Sequence, residues 1–244
     1  MPDIIAIIPA RYSSRRFPGK VIADLDGKPV VQHVYERVSG AESVSQVVIA
    51  TDDSRIEQVV NEFGGEVIMT SPDHASGTDR VAEAVEKINR GDIIVNVQGD
   101  EPLIDPAVID AVVQKIIDDE GIACSTASSP ITDEAMYHDP NAVKVVMDIH
   151  GRALYFSRSP LPFCRDGSFV GISYVHTGIY CFRRNFLKIF TTLEPTPLEK
   201  AEKLEQLRIL EHGYRIGVVI TGETPKGIDT EDDLETVREM LEKK

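Results

Sequence analysis

Short apolar, β-branched runs alternate with stretches of helical period along most of the chain, the pattern of a mostly parallel sheet covered by helices. The apolar runs predict strands at 4–8, 46–51, 66–70, 93–97, 123–128, 143–148, 174–182 and 216–220. The periodic stretches predict helices at 29–39, 54–63, 78–89, 107–118, 183–191, 197–211 and 231–242. Pro29 and Pro197 suit a first helical turn, where no N–H is required, and Thr230 with Asp233 three residues on reads as a capping box with Asp in place of Glu. From about residue 130 the alternation weakens. Segment 144–182 reads as strands separated by turn-rich pieces, an antiparallel insert on the parallel core. No repeat, linker or low-complexity stretch divides the chain, so a single domain over 1–244 is expected, of the α/β, doubly wound class.

A chain of 244 residues that is 42% hydrophobic can bury an ample core without staples. Its apolar runs fall short of the roughly 18 to 20 residues that a membrane span needs, and its first residues lack the basic and apolar regions of a signal peptide. A cytoplasmic protein is expected. Three cysteines without CxxC spacing argue against a disulfide framework or a zinc cluster. The net charge of −14 argues against nucleic acid or an anionic membrane as partner. Against that background, Arg11, Arg15, Arg16 and Lys20 crowd the first twenty residues, with Asp3 as the one acid among them. That contrast predicts a focused anion site.

The segment PARYSSRRFPGK, residues 9–20, leaves the carboxyl end of the first strand, where open α/β sheets bind ligands. Ser13, Ser14 and Gly19 would let backbone N–H groups approach an anion, while Arg11, Arg16 and Lys20 would neutralise triphosphate charge. Neither the P-loop spacing nor GxGxxG is present. The run NVQGDEP likewise puts Gln98 and Asp100 at a strand's carboxyl end, and Asp100 is the first choice for a magnesium ligand, since that ion takes hard oxygen donors. On spacing alone, Asp229 is a helix-end acid favoured by the helix dipole. Ser76 and Gly77 precede a helix, either as its cap or as a turn against a pyrimidine edge. Arg158 suits a carboxylate ligand through its planar fork. His176 and Tyr180, four apart on a strand, share a face and suit either packing or sugar hydroxyls. Glu205 and Gln206, from the residues alone, are solvated helix positions.

These segments resemble, in order, those of the acidic-sugar cytidylyltransferase family: IPAR with S-x-R-x-P-G-K at 8–20, HASGTDR at 74–80, NVQGDEP at 96–102, FSRSPLPF at 156–163, HTGIYCFR at 176–183, EKLEQLR at 202–208 and GIDTEDDLE at 227–235. The resemblance implies a glycosyltransferase-A-like nucleotidyltransferase fold, with the insert serving the sugar site and a homodimer contact. It implies transfer of CMP from CTP to the anomeric hydroxyl of 3-deoxy-D-manno-octulosonate (Kdo) for lipopolysaccharide assembly, with 8-amino-Kdo or a sialic acid as the alternative acceptor. It makes Lys20, Arg16 and Asp100 catalytic and gives the nucleotide to Arg11, Ser14, Arg16, Lys20, Ser76, Gly77, Arg80 and Gln98. It gives the sugar to Gln98, Arg158, His176, Tyr180, Glu205 and Gln206, and Mg2+ to Asp100 and Asp229.

Overall fold

Seven consecutive buried residues, Ile4–Ala10, form β1, and their continuous apolar character follows from a strand flanked by parallel neighbours on both edges. The computed structural model describes residues 2–14, 16–165, 167–222 and 226–242, so Arg15 of the basic segment lies outside the described residues. Two compact units divide the chain: Met1–Asp110 with Pro225–Lys244, and Ala111–Thr224.

In the first unit β1 is followed by β2 (Asp24–Leu25), β3 (Lys28–Pro29), α1 (Val30–Ser39), β4 (Gln46–Thr51), α2 (Ser54–Glu62), β5 (Val67–Met69), α3 (Gly77–Ile88) and β6 (Ile93–Asn96), and the start of α4 (Pro106–Asp118) belongs to this unit while the helix from Ala111 onwards belongs to the second. Strands β6, β1, β4 and β5 pair in that order, all parallel. Asp26 and Gly27, both at positive φ, turn β2 into β3, the two-residue hairpin that an Asp-Gly pair favours. That short ribbon is absent from the sequence expectation. Pro29 stands one residue before the helix, as the N-cap of α1.

The second unit holds β7 (Cys124–Pro130), α5 (Glu134–His138), β8 (Lys144–Met147), β9 (Ala153–Ser157), β10 (Tyr174–Arg183), α6 (Arg184–Phe190), α7 (Pro197–Glu202), α8 (Gln206–Glu211) and β11 (Ile216–Ile220). β7 pairs parallel with β11 and antiparallel with β10, and β8 pairs antiparallel with β10 and β9. A mostly parallel sheet with an antiparallel portion is therefore borne out. Strand β9 and helix α5 were not anticipated. The helix expected over 197–211 is two helices, because Lys203 takes a left-handed conformation (φ 56°) that ends α7. Glu199 and Arg208 pair across the break at 2.5 Å, which holds the two short helices together.

The last helix, α9 (Glu231–Glu242), belongs to the first unit. Its Leu234 and Val237 pack in a core with Leu25, Val30, Leu103 and Ile228. No helix among the described residues is long and apolar enough to cross a membrane.

Candidate active site

The loop that leaves β1 borders a cavity of about 330 Å³ in the first unit, lined by Pro9, Arg11, Ser13, Ser14, Lys20, Val21, Ala75, Ser76, Gly77, Gln98, Gly99 and Asp100. Three segments predicted separately from sequence thus meet. Arg11 Nη2 donates to the Ser76 carbonyl at 2.5 Å and ties the first loop to the turn before α3. Ser76 is indeed a helix cap: its hydroxyl accepts from the Asp79 N–H and donates to the Asp79 carboxylate. Capping and lining coexist at this residue, but its hydroxyl is already engaged. Gly99 allows a close approach, since a Cβ there would stand a tight 3.0 Å from the Pro9 carbonyl.

Lys20 Nζ lies 2.5 Å from Asp100 Oδ2 and 2.9 Å from Asp229 Oδ1, and Arg16 Nη2 lies 2.8 Å from Asp229 Oδ2. Burial disfavours the Lys20 ammonium, yet the two carboxylates outweigh it and hold its pKa above the ordinary value. Burial likewise works against the Asp229 carboxylate, and the Lys20 and Arg16 cations prevail to lower its pKa.

Asp229 reaches this point because α9 returns to the first unit, where the Ile228 N–H donates to the Asp100 carbonyl at 2.8 Å. Capping α9 falls to other groups. Asp233 accepts from the Asp229 and Thr230 N–H groups and from the Thr230 hydroxyl, which completes the box expected from sequence. Asp229 is left free to face Lys20.

The Lys20 ammonium sits between the Asp100 and Asp229 carboxylates, the pair of hard oxygen donors that would hold a divalent ion. Among the described residues no group of three or more His, Cys, Asp or Glu converges as a self-sufficient metal centre. Glu101 does not join the pair. Its Oε2 is buried without a hydrogen-bond partner among the described residues, and burial, with the neighbouring Asp100 charge, pushes its pKa up to about 8.

Arg80 is placed differently from the nucleotide contact that the resemblance implies. It is fully buried and absent from the cavity lining, its guanidinium held by Asp52 at 3.1 Å and by the Thr70 hydroxyl at 2.5 Å.

Of the residues expected at a sugar, Gln98 lines the cavity of the first unit and the others lie in the second unit. His176 is paired with Thr126 Oγ1 at 2.9 Å, and burial lowers its pKa to about 3, so the imidazole is neutral. A bulge in β10 shifts the register between Thr177 and Tyr180, yet the His176 and Tyr180 rings remain 5.3 Å apart. The Tyr180 hydroxyl is buried and has no partner among the described residues; burial raises its pKa, and the nearby Glu205 charge adds to the effect. Gln206 is buried in the first turn of α8, not solvated. Arg158 Nε donates to the Glu202 carbonyl and Nη1 to the Pro140 carbonyl, both at 2.8 Å, which orients the guanidinium through its backbone contacts.

A family model described as cytidylyltransferase matches residues 5–216. The chain belongs to the cytidylyltransferase family. This cytidylyltransferase is 54% identical over 98% of its length to a 3-deoxy-manno-octulosonate cytidylyltransferase of Geobacter sulfurreducens, 99% of which is covered. It superposes on the structure of a CMP:2-keto-3-deoxy-manno-octonic acid synthetase complexed with CTP with a TM-score of 0.94, at 42% identity and 99% coverage of both chains. A cytidylyltransferase of Leptospira borgpetersenii, 19% identical with a TM-score of 0.68, covers all of this chain and 88% of its own, and shares the fold.

Sequence reasoning about this cytidylyltransferase passed over Glu202, the hub beside Arg158. Its carboxylate accepts from the Ser157 hydroxyl at 2.6 Å and from the Arg158 N–H at 2.9 Å. The signal was weak, since a glutamate at a helix end is ordinarily solvated. Lys144 was also passed over. Although fully buried, it donates to the Asp139 and Ala142 carbonyls, and burial lowers its pKa.

Proposed function

We propose that this chain transfers CMP from CTP to the anomeric hydroxyl of Kdo, releasing pyrophosphate and giving CMP-Kdo for lipopolysaccharide assembly. The observation that carries the reading is the cation of Lys20 set between Asp100 and Asp229 beside a small cavity lined by Arg11, Ser13, Ser14, Ser76 and Gly77. The names of the relatives support the substrates.

In this reading Arg11, Ser14 and the turn at Ser76 and Gly77 hold the cytidine triphosphate, with Gln98 on the cavity wall. Arg80 supports the turn from a buried position. Lys20 and Arg16 neutralise the charge that develops on the departing pyrophosphate. Asp100 and Asp229 would hold Mg2+, which when bound neutralises phosphate charge and acidifies the attacking hydroxyl. Arg158 receives the sugar carboxylate. His176, Tyr180, Glu205 and Gln206 receive the hydroxyls: the partnerless phenol of Tyr180 supports this, because a buried hydroxyl without a partner is costly unless a ligand completes it. Catalysis then comes from positioning and charge neutralisation, without a protein nucleophile. We further infer a cytoplasmic homodimer, formed through the antiparallel insert.

Pyrophosphate release with CTP, Kdo and Mg2+ tests the reading. It should stop with EDTA and fall sharply when ATP or GTP replaces CTP. Equal turnover on N-acetylneuraminate or 8-amino-Kdo would move the acceptor assignment to another acidic sugar.

A further inference from the structure

The loop of residues 11–20 carries the groups assigned above to the triphosphate, yet none of those groups explains how the loop keeps its shape. Tyr12 is its hub. The Tyr12 carbonyl accepts the N–H of Ser14 at 3.0 Å and of Gly19 at 2.8 Å, which folds the loop back on itself. The Tyr12 ring packs on Gly19, where a Cβ would fall 3.0 Å from the ring and where φ is +73°, so glycine is required there twice over.

Arg55, from the first turn of α2, lays its guanidinium over the same ring, with Cζ 3.3 Å from the centroid. Asp53 holds that guanidinium flat: Arg55 Nε donates to Oδ1 at 2.8 Å and Nη2 to Oδ2 at 2.6 Å. Asp53 is itself the N-cap of α2, accepting the Arg55 N–H at 3.0 Å. A continuous set of contacts therefore runs from the start of a helix, through an ion pair and a stacked ring, to the backbone of the loop.

We propose that Tyr12 and Arg55 are positioning residues for nucleotide binding: their stack latches the loop in the conformation that presents Ser13, Ser14 and Lys20 to the cavity. The inference rests on the reading of this loop as the triphosphate site. Its physical basis is preorganisation, since a loop of small and charged residues that is ordered beforehand gives up less entropy when the ligand arrives. Asp53 cancels the charge of Arg55, so the latch acts through geometry and not as one more phosphate ligand. A flat, bidentate, stacking group is needed, and lysine cannot replace it.

Calorimetric titration with CTP, separate KM values for CTP and Kdo, and trypsin cleavage at Arg11, Arg16 and Lys20 test the latch. Tyr12→Ala should weaken CTP binding about tenfold or more and raise the KM for CTP in step, while the KM for Kdo moves less than about twofold. Tyr12→Phe keeps the ring and should stay within about twofold of the parent. Arg55→Ala and Arg55→Lys should each weaken CTP binding about two- to fivefold, with faster trypsin cleavage in the loop and little change in Tm. These exposed variants carry the test if Tyr12→Ala does not fold.

Lys20→Gln provides the control. If it loses CTP while Arg55→Ala and Arg55→Lys bind CTP and resist trypsin as the parent does, the latch is overturned and the loop's role stands. If Lys20→Gln binds CTP normally, the triphosphate reading itself fails and the latch falls with it.

Discussion

The polar groups proposed to meet ligands are kept in contrasting ways in the two units. In the first, full charges face one another near the surface: Arg16 and Asp229 are 63% and 49% exposed, and Lys20 is pinned between two carboxylates. In the second, two of the groups assigned to the sugar are neutral and buried. His176 is uncharged by burial, and Tyr180, whose ring lies between those of His176 and Phe182, has a buried hydroxyl with no hydrogen-bond partner among the described residues. The difference fits the ligand chemistry proposed for each. A triphosphate needs compensating charge that must not collapse when the site is empty, and opposite charges holding each other achieve that. A sugar hydroxyl needs hydrogen-bond partners whose desolvation has already been met by the fold.

The sharpest test of the charged side is Asp100→Asn and Asp229→Asn. Each should lower turnover by at least roughly a hundredfold, about 2.7 kcal/mol of transition-state stabilisation. Tm should change little for Asp229→Asn because Thr230 and Asp233 cap α9. An Asp229→Asn protein that melts several degrees lower yet turns over normally would return Asp229 to a structural role.

Next in size is Arg158→Ala, which should raise the KM for Kdo by about tenfold to a hundredfold, the range of a charge-assisted hydrogen bond, with CTP binding kept. Loss of CTP binding instead would erase the contrast between the units. Tyr180→Phe should raise the KM for Kdo by a smaller factor, about two- to tenfold. Because it removes a buried hydroxyl that has no partner, its Tm should hold or rise. A fall in Tm would mean that the phenol serves the core.

The smallest effects are in pH dependence, and there the units should pull in opposite directions. His176 is neutral when folded, with its pKa lowered from 6.5 to about 3, so the unfolded chain takes up a proton first as pH falls. Its contribution to stability is complete above the unfolded pKa and is lost progressively from roughly pH 6.5 down towards pH 3. Glu101 has its pKa raised from 4.5 to about 8, so its contribution is complete below the unfolded value and is lost as pH rises through the folded one. Glu101→Gln should therefore gain Tm relative to the parent at roughly pH 8 and not at roughly pH 4. His176→Gln should flatten the fall in Tm between roughly pH 6 and pH 4. Thermal melts across that range check both, and parallel curves for parent and variants would remove the contrast.

Much of the architecture was legible in advance because its causes are local. The continuous apolar run of β1 announced a strand buried between parallel partners, and Thr230 with Asp233 announced the start of α9. Other features were equally local but overlooked, such as the Asp26-Gly27 hairpin. The break at Lys203 had no comparable signal, since lysine is a good helix former and its left-handed conformation serves the contact of Glu199 with Arg208.

Among the site residues, the loop of 9–20 and the Gln98-Gly99-Asp100 turn were readable because each follows a strand whose carboxyl end is a binding edge. Whether Asp229 meets Lys20, 209 positions away, depends on α9 packing its Leu234 and Val237 against Leu25 and Val30, and no local pattern encodes that return. Nor does local pattern show that Arg80 is spent on Asp52, or that the Tyr180 hydroxyl is buried with no partner among the described residues. By itself the sequence determined most of the strands, most of the helices and the chemical types available, since hydrophobic period, capping and turn chemistry act over a few residues. Only the tertiary structure decided which charges meet and which polar groups are buried, because those outcomes depend on desolvation and on distances between atoms far apart along the chain.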